Sequence, residues 1–142
     1  MLKVVIDTNC LIQALPPKSS AHWLYQGMKQ GKFVVVVTTS ILEEYEEIVA
    51  EFYTPEIADF ALKVITNLPN VEKSTINFRW NLISVDPDDN KFVDCALNSG
   101  ADVIVTEDKH FNVLTNNKFP RIQHENLSTF KKRLTTLGLL PK

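Results

Sequence analysis

The sequence predicts an α/β fold in which a parallel β-sheet carries helices on both faces. Short apolar runs alternate along the chain with stretches of helical periodicity. The runs at residues 2–6, 33–37 and 102–106 are almost wholly apolar at their centres. Such runs are typical of strands that are buried on both faces of a parallel sheet.

Five stretches have the apolar spacing of amphipathic helices. They cover residues 20–30, 40–52, 55–68, 87–98 and 127–137. Ser40 and Asp86 suit N-cap positions. Gly31 and Gly100 lie where two of the helices should end. Residues 70–85 have no clear period, and we interpret them as irregular chain or a short helix.

Length and composition predict a single soluble domain over residues 1–142, because the chain is 44% hydrophobic and 23% charged. The longest apolar run, residues 33–37, is far too short to cross a bilayer. We expect no signal peptide, because Asp7 interrupts the apolar start of the chain. Cys10 and Cys95 lack metal or redox spacing and are interpreted as reduced thiols, so the expected location is cytoplasmic.

Two acids are predicted to meet at the carboxyl edge of the sheet. Asp7 closes the first strand, where an acid is either a ligand or a turn cap. Glu44 lies beside the apolar stripe in the first turn of the helix at 40–52, whereas Glu43 and Glu47 point to solvent. Ligands of open parallel sheets gather at this edge, so Asp7 and Glu44 are candidate site residues.

A third acid, Asp89, is predicted to face inward. It lies three and four residues before Phe92 and Val93, which belong to the buried face of a helix. A carboxylate pointed at the sheet needs a counter-charge. No Lys or Arg at helical spacing supplies one, but a bound cation would. Asp94 points away from this face, and we expect it to be exposed.

A fourth acid follows the strand at 102–106, where position alone does not choose between Glu107 and Asp108. Converging acids without a His or Cys ligand set favour Mg²⁺ or Mn²⁺ over Zn²⁺. The histidines are scattered without ligand spacing and are interpreted as capping or exposed residues: His22, His110 and His124. The two tryptophans, Trp23 and Trp80, are interpreted as packing residues rather than base-stacking platforms.

These residues, in this order, resemble the PIN domain family of nucleases, many of which are the toxin halves of bacterial toxin–antitoxin pairs. The opening strand and Asp7 are similar to the family's first strand and first acid. Glu44 lies in register with its helical Glu, and Asp89 matches its third acid. The strand ending is similar to the family's closing motif, which assigns Asp108 rather than Glu107.

The resemblance implies a three-layer α/β/α sandwich with a central parallel sheet and hydrolysis of RNA. It implies that Mg²⁺ or Mn²⁺ is bound by four acids: Asp7, Glu44, Asp89 and Asp108. Four further residues would serve as hydrogen-bond partners of those ligands: Thr8, Asn9, Ser40 and Thr106. The implied partners are an RNA substrate and an antitoxin protein. No membrane association is implied, and the resemblance does not decide whether the protein forms a homodimer.

Two other functions fit an α/β fold. A catalytically degenerate PIN-like module would bind RNA or protein without cleavage, but the intact set of acids argues against it. A nuclease assay with Mn²⁺ separates the two. A phosphoryl-accepting receiver domain would need a pair of acids after the first strand, whereas Asp7 is followed by Thr8 and Asn9. Treatment with acetyl phosphate followed by intact mass measurement would detect a receiver domain.

Overall fold

The structure, a computed structural model, describes residues 1–83, 87–116 and 122–141. Within those ranges, five strands form one sheet in the order β3-β2-β1-β4-β5, and every neighbouring pair is parallel. The strands are β1 (Lys3–Ile6), β2 (Val34–Val37), β3 (Val71–Lys73), β4 (Val103–Val105) and β5 (His124–Glu125). The predicted parallel sheet is therefore confirmed.

Helices cover both faces of the sheet, so the fold is a three-layer α/β/α sandwich. They are α1 (Thr8–Ala14), α2 (His22–Lys29), α3 (Thr39–Phe52), α4 (Pro55–Asn67), α5 (Asn90–Ser99) and α6 (Leu127–Thr136). Two 3₁₀ turns, at Pro87–Asp89 and Lys109–Asn116, precede α5 and follow β4. Among the described residues, no helix is both long and apolar enough to span a membrane.

The core is built on the three central strands. Every residue of β4 and the last three residues of both β1 and β2 are buried. All of these are Val or Ile, whose branched side chains suit a pleated surface. Full burial of one such side chain contributes roughly 1.5–3 kcal/mol. Helix α5 packs across β1, β2 and β4, so its inward face is held close to the ends of these strands.

Three elements were not predicted from the sequence: α1, β3 and β5. Strand β3 lies at the edge of the sheet within residues 70–85, which were interpreted as irregular or helical. Its residues are half-buried or exposed, so it has no apolar run to detect. Strand β5 has only two residues. Helix α1 begins directly after β1 and is too short for a clear period.

The predicted helix ends are partly correct. Gly100 follows α5 with φ of +70°, the left-handed conformation that glycine adopts without strain. The N-cap of α3 is Thr38 rather than Ser40, because the Thr38 hydroxyl accepts a 3.2 Å hydrogen bond from the Ile41 N–H. Ser40 instead lies exposed in the first turn of α3. The predicted cap at Asp86 lies outside the described residues.

The prediction that Asp94 is exposed is wrong. Its side chain lies on the face of α5 that points away from the sheet, yet the residue is only 5% exposed. The extended chain at 74–83 covers that face, and the Trp80 N–H donates to Asp94 Oδ1 at 2.9 Å. Burial raises the pKa of Asp94, while the Trp80 hydrogen bond and the charge of Arg79 oppose that rise. Helical periodicity alone does not reveal a covering segment that lacks regular structure.

Two asparagines of α5 hold the same extended chain one turn before and after Asp94. Asn90 accepts from the Ile83 N–H at 2.9 Å and donates to the Ile83 carbonyl at 2.8 Å. Asn98 accepts from the Phe78 N–H at 3.1 Å and donates to its carbonyl at 2.8 Å. Side chains from one face of α5 thus satisfy backbone N–H and C=O groups of this segment, as a neighbouring strand would do in a sheet.

Candidate active site

The carboxyl ends of β1 and β4 lie at the point where the strand order reverses. From β1 the chain adds β2 and β3 on one side, whereas β4 and β5 lie on the other. The loops after β1 and β4 therefore diverge and leave a crevice, the usual ligand site of an open parallel sheet. Asp7 follows β1, and its N–H donates to the Val105 carbonyl at 2.9 Å. This bond fixes Asp7 beside the end of β4.

Asp7 is a buried carboxylate that does not act as a helix cap. It is 5% exposed and lies at the N-cap position of α1 without a side-chain capping hydrogen bond. The Thr106 hydroxyl donates to Asp7 Oδ2 at 2.7 Å. Burial raises its pKa to about 6, hydrogen bonds from Thr106 and Thr8 oppose this, and the charges of Asp108 and Glu44 add to it. The turn-cap interpretation of Asp7 is therefore not supported by its contacts.

Thr106 connects Asp7 to the loop that carries Asp108. Its buried hydroxyl donates to Asp7 and accepts a 3.0 Å hydrogen bond from the Asp108 N–H. The Asp108 carboxylate accepts from the His110 N–H at 2.8 Å in a tight local turn. These two bonds orient the Asp108 side chain toward the crevice.

Asp89, Asp108 and His110 form the tightest cluster of metal-ligating groups within the described ranges. One ligand atom of each lies within 4.8 Å of the other two. His110 Nδ1 lies 3.5 Å from Asp89 Oδ2 and 3.4 Å from Asp108 Oδ1. Asp89 is 8% exposed and makes no N-cap hydrogen bond to α5. The inward orientation predicted for Asp89 is confirmed.

His110, interpreted from the sequence as a capping or exposed residue, was not predicted to lie at the site. The structure instead brings its ring between two acids, although the ring is 41% exposed. A local signal was present, because His110 lies two residues after Asp108. An Asp at a strand end readily accepts from the backbone two residues on, which turns that residue back toward the same edge.

Glu44 lies near Asp7 but has its own partners. The Thr8 hydroxyl donates to Glu44 Oε2, and Lys91 Nζ lies 2.8 Å from Glu44 Oε1. The Tyr45 hydroxyl donates to the Ile6 carbonyl, which holds the first half of α3 against the end of β1. Lys91 supplies a counter-charge from the first turn of α5, a contact across elements that helical spacing could not predict. The other four acids of this helix are exposed: Glu43 and Glu47, as predicted, and also Glu46 and Glu51.

The structure also separates Glu107 from Asp108. Glu107 Oε1 accepts a 2.8 Å hydrogen bond from the Leu127 N–H at the start of α6. Its carboxylate is therefore engaged with the helix rather than with the acid cluster. Of the predicted hydrogen-bond partners, Thr8 and Thr106 contact acids, whereas Asn9 is exposed on the surface.

The cysteines and Trp23 take no part in this arrangement. Cys10 and Cys95 are free thiols in the core, and burial raises the pKa of each to about 12, so both are unreactive. Trp23 packs beside Phe130 with ring centroids 6.2 Å apart, as expected for a packing residue.

The fold and the site together define an α/β/α protein with an acidic crevice at the switch point of a parallel sheet. The family model described as PIN domain matches residues 3–110, a span that includes all four predicted acids. The chain therefore belongs to the PIN domain family, whose members are generally nucleases.

Three solved structures share this fold at low sequence identity. VapBC2 from Rickettsia felis, solved with a DNA fragment of its promoter, is 14% identical, with a TM-score of 0.62 over 88% of this chain and 98% of that one. DNA-bound VapBC from Salmonella typhimurium is 18% identical, with a TM-score of 0.60 over 89% and 99%. The PIN domain of T. brucei RRP44 is 13% identical, with a TM-score of 0.54 over 96% and 83%. No curated protein matches the chain.

Proposed function

We propose that this protein is a metal-dependent endoribonuclease and the toxin component of a toxin–antitoxin pair. The observation that carries the proposal is the convergence of Asp89, Asp108 and His110 beside the buried Asp7. Acids that gather at the switch point of a parallel sheet repel one another unless a cation joins them. Membership of a nuclease family supports phosphodiester hydrolysis as the reaction.

The donor set fits Mg²⁺ or Mn²⁺. Carboxylate oxygens are the ligands of these hard cations, and an imidazole nitrogen is compatible with Mn²⁺. The ligand atoms of Asp89, Asp108 and His110 lie within 4.8 Å of one another, so one cation could contact all three. Asp7 completes the set as a carboxylate whose ionised form is disfavoured by burial and by neighbouring acids.

A bound cation would supply Lewis-acid chemistry, namely activation of water and neutralisation of charge on the phosphate. In this proposal Asp7, Asp89 and Asp108 are its ligands, and His110 is a further ligand or orients the two acids that it contacts. Thr106 orients Asp7 and the loop of Asp108 at the same time, because its hydroxyl bonds to both. Glu44 is a ligand or positions a water, and Thr8 and Lys91 hold its carboxylate.

Cleavage of single-stranded RNA by the purified protein in Mn²⁺, abolished by EDTA, tests this proposal. RNA and DNA of one sequence are compared in the same assay to establish the substrate class. If Mn²⁺ elicits no cleavage while RNA still binds, the non-cleaving PIN-like module is the correct function.

Glu44→Gln is expected to lower the cleavage rate at least tenfold, whereas Glu43→Gln and Glu47→Gln should leave it almost unchanged. Glu44 points toward the crevice, while the other two side chains are exposed on the opposite side of α3. A tenfold loss corresponds to about 1.4 kcal/mol of transition-state stabilisation. Steady-state rates of the three variants in one buffer make the comparison. Equal losses from all three would exclude a specific role for Glu44.

The similarity to VapBC structures supports an antitoxin protein as the partner. In this proposal the protein is a single cytoplasmic domain over residues 1–142, and its oligomeric state, monomer or homodimer, is not specified. A short reading frame beside the gene, whose product copurifies with this chain and suppresses cleavage, would be expected. Cleavage unaffected by that product would argue against the pairing.

A further inference from the structure

A second cavity of about 200 Å³ lies next to the acidic crevice, between the first turns of α3 and α5 and the extended chain at 74–83. Polar side chains from all three segments line it: Ser40, Arg79, Asn81, Asn90 and Lys91. Lys91 is one of the residues that line this cavity, and its ammonium group contacts Glu44 of the crevice. A chain-like ligand could therefore occupy the crevice and the cavity together.

An aromatic pair lies on the extended chain that forms one wall of the cavity. The rings of Phe78 and Trp80 have centroids 4.7 Å apart and are tilted by 54°. Phe78 is 58% exposed, Trp80 is half-buried, and the exposed Arg79 lies between them in sequence. A single exposed Phe is common on protein surfaces. Phe78 differs because the ring of Trp80 contacts it and the cationic Arg79 is its neighbour in sequence.

The backbone around this pair is held in place by α5. Side chains of Asn98, Asp94 and Asn90 bond to the backbone at Phe78, Trp80 and Ile83. These hydrogen bonds are spaced along the segment and hold its backbone against α5, so the segment is an ordered wall that carries the two rings.

Asn81, between the anchored Trp80 and Ile83, has φ of +52° and lines the cavity. Asn adopts this left-handed conformation more readily than most non-glycine residues, so the backbone can turn at Asn81 beside the cavity with little strain.

We infer that Phe78, Arg79 and Trp80, with the adjoining cavity, form a binding site for single-stranded RNA that leads into the acidic crevice. This inference rests on the proposed function and locates a surface beside the crevice that would hold its substrate. A base can stack on the exposed ring of Phe78 only if it is unpaired and splayed from its neighbours. Arg79 and Lys91 supply the positive charge for a backbone phosphate.

Two acids line the same cavity and set the side on which a phosphate can bind. Asp94 accepts the Trp80 N–H and lies near Arg79, whereas Asp88 is exposed in the 3₁₀ turn before α5. A phosphate would avoid both carboxylates, so we expect it to bind at the edge of the cavity between Arg79 and Lys91. The base would then lie over Phe78, outside the cavity mouth.

The test uses the Trp23→Phe protein, in which Trp80 is the remaining tryptophan of the two in the chain. A short oligouridylate is titrated at low salt in EDTA, so that no cleavage occurs, and Trp80 fluorescence is recorded. Saturable quenching is expected. A Phe78→Ala change in the same background should weaken apparent binding about tenfold, and Phe78→Tyr should retain it, since stacking on one ring accounts for an effect of that size.

Phe60→Ala is the matched control, because Phe60 is 69% exposed on α4. A blunt-ended RNA duplex, in which every base is paired, should quench at least tenfold more weakly than the oligouridylate. Absence of quenching, equal binding by Phe78→Ala and Phe60→Ala, or equal affinity for the duplex would each overturn the inference. Quenching without cleavage in Mn²⁺ would contradict the proposed nuclease function and leave this site standing, whereas cleavage without quenching would do the reverse.

Discussion

Asp7→Asn is expected to slow Mn²⁺-dependent RNA cleavage about a hundredfold or more, a loss of about 3 kcal/mol of transition-state stabilisation. The same change should raise the melting temperature of the metal-free protein by several degrees near neutral pH. Asparagine keeps the shape and can still accept from Thr106, but it carries no charge that burial disfavours. Function and stability should thus move in opposite directions, as they do at many functional sites.

The raised pKa of Asp7 also predicts how stability depends on pH in EDTA. Its pKa rises from the ordinary 3.8 to about 6 in the folded protein. Between these values the folded protein retains a proton that the unfolded chain has lost, so stability falls as pH rises through this window. Above pH 6 the buried charge of Asp7 lowers the free energy of unfolding by about 3 kcal/mol, and this penalty is absent below the unfolded pKa. Asp7→Asn should remove this part of the pH dependence.

Thermal melts between about pH 4 and pH 7.5, with cleavage rates for the same preparations, measure both effects. Asp59→Asn is the control, because Asp59 is an exposed acid paired with Lys63 on α4. It should change neither the rate nor the slope of stability against pH. If Asp7→Asn melts lower than the wild type at all pH values, its carboxylate stabilises the fold and is not held there for catalysis.

Asp89→Asn is expected to melt higher than the wild type in EDTA at low salt and to lose most of the stabilisation by Mn²⁺. Ligand oxygens of Asp89 and Asp108 lie within 4.8 Å. Two unit charges at that separation repel by about 3 kcal/mol at an effective dielectric near 20, before relaxation or the nearby His110 reduces the value. Mn²⁺ at a thousand times its Kd should stabilise the wild type by about 4 kcal/mol.

His110→Gln provides an independent measure of the same site. It should weaken Mn²⁺ binding about tenfold, as loss of a ligand or its orienting partner commonly does. Calorimetric titration with Mn²⁺ and melts with and without the ion compare wild type, Asp89→Asn and His110→Gln, again with Asp59→Asn as the control. A lower melting temperature for Asp89→Asn in EDTA, together with a wild type that Mn²⁺ leaves unmoved, would identify Asp89 as a structural residue.

The sheet was predictable because its central strands are continuous apolar runs that have no other stable place in a small protein. Strand β3 was not predictable in this way, because its residues pair at the sheet edge through backbone groups and form no apolar run. The burial of Asp94 was not predictable either, because the segment that covers α5 at that position has no period of its own.

The sequence by itself determined the parallel α/β class, the positions of Asp7 and Asp108 after their strands, and the inward phase of Glu44 and Asp89. These properties follow from local periodicity, because a strand alternates every two residues and a helix every 3.6. Only the tertiary structure decided which side chains meet.

Contacts across elements depend on strand order and helix placement, which residue spacing does not encode. They brought His110 between Asp89 and Asp108, paired Lys91 with Glu44, and turned Glu107 toward α6. The chemistry of the site depends on those contacts, because the charge of each acid is set by the groups that surround it in space.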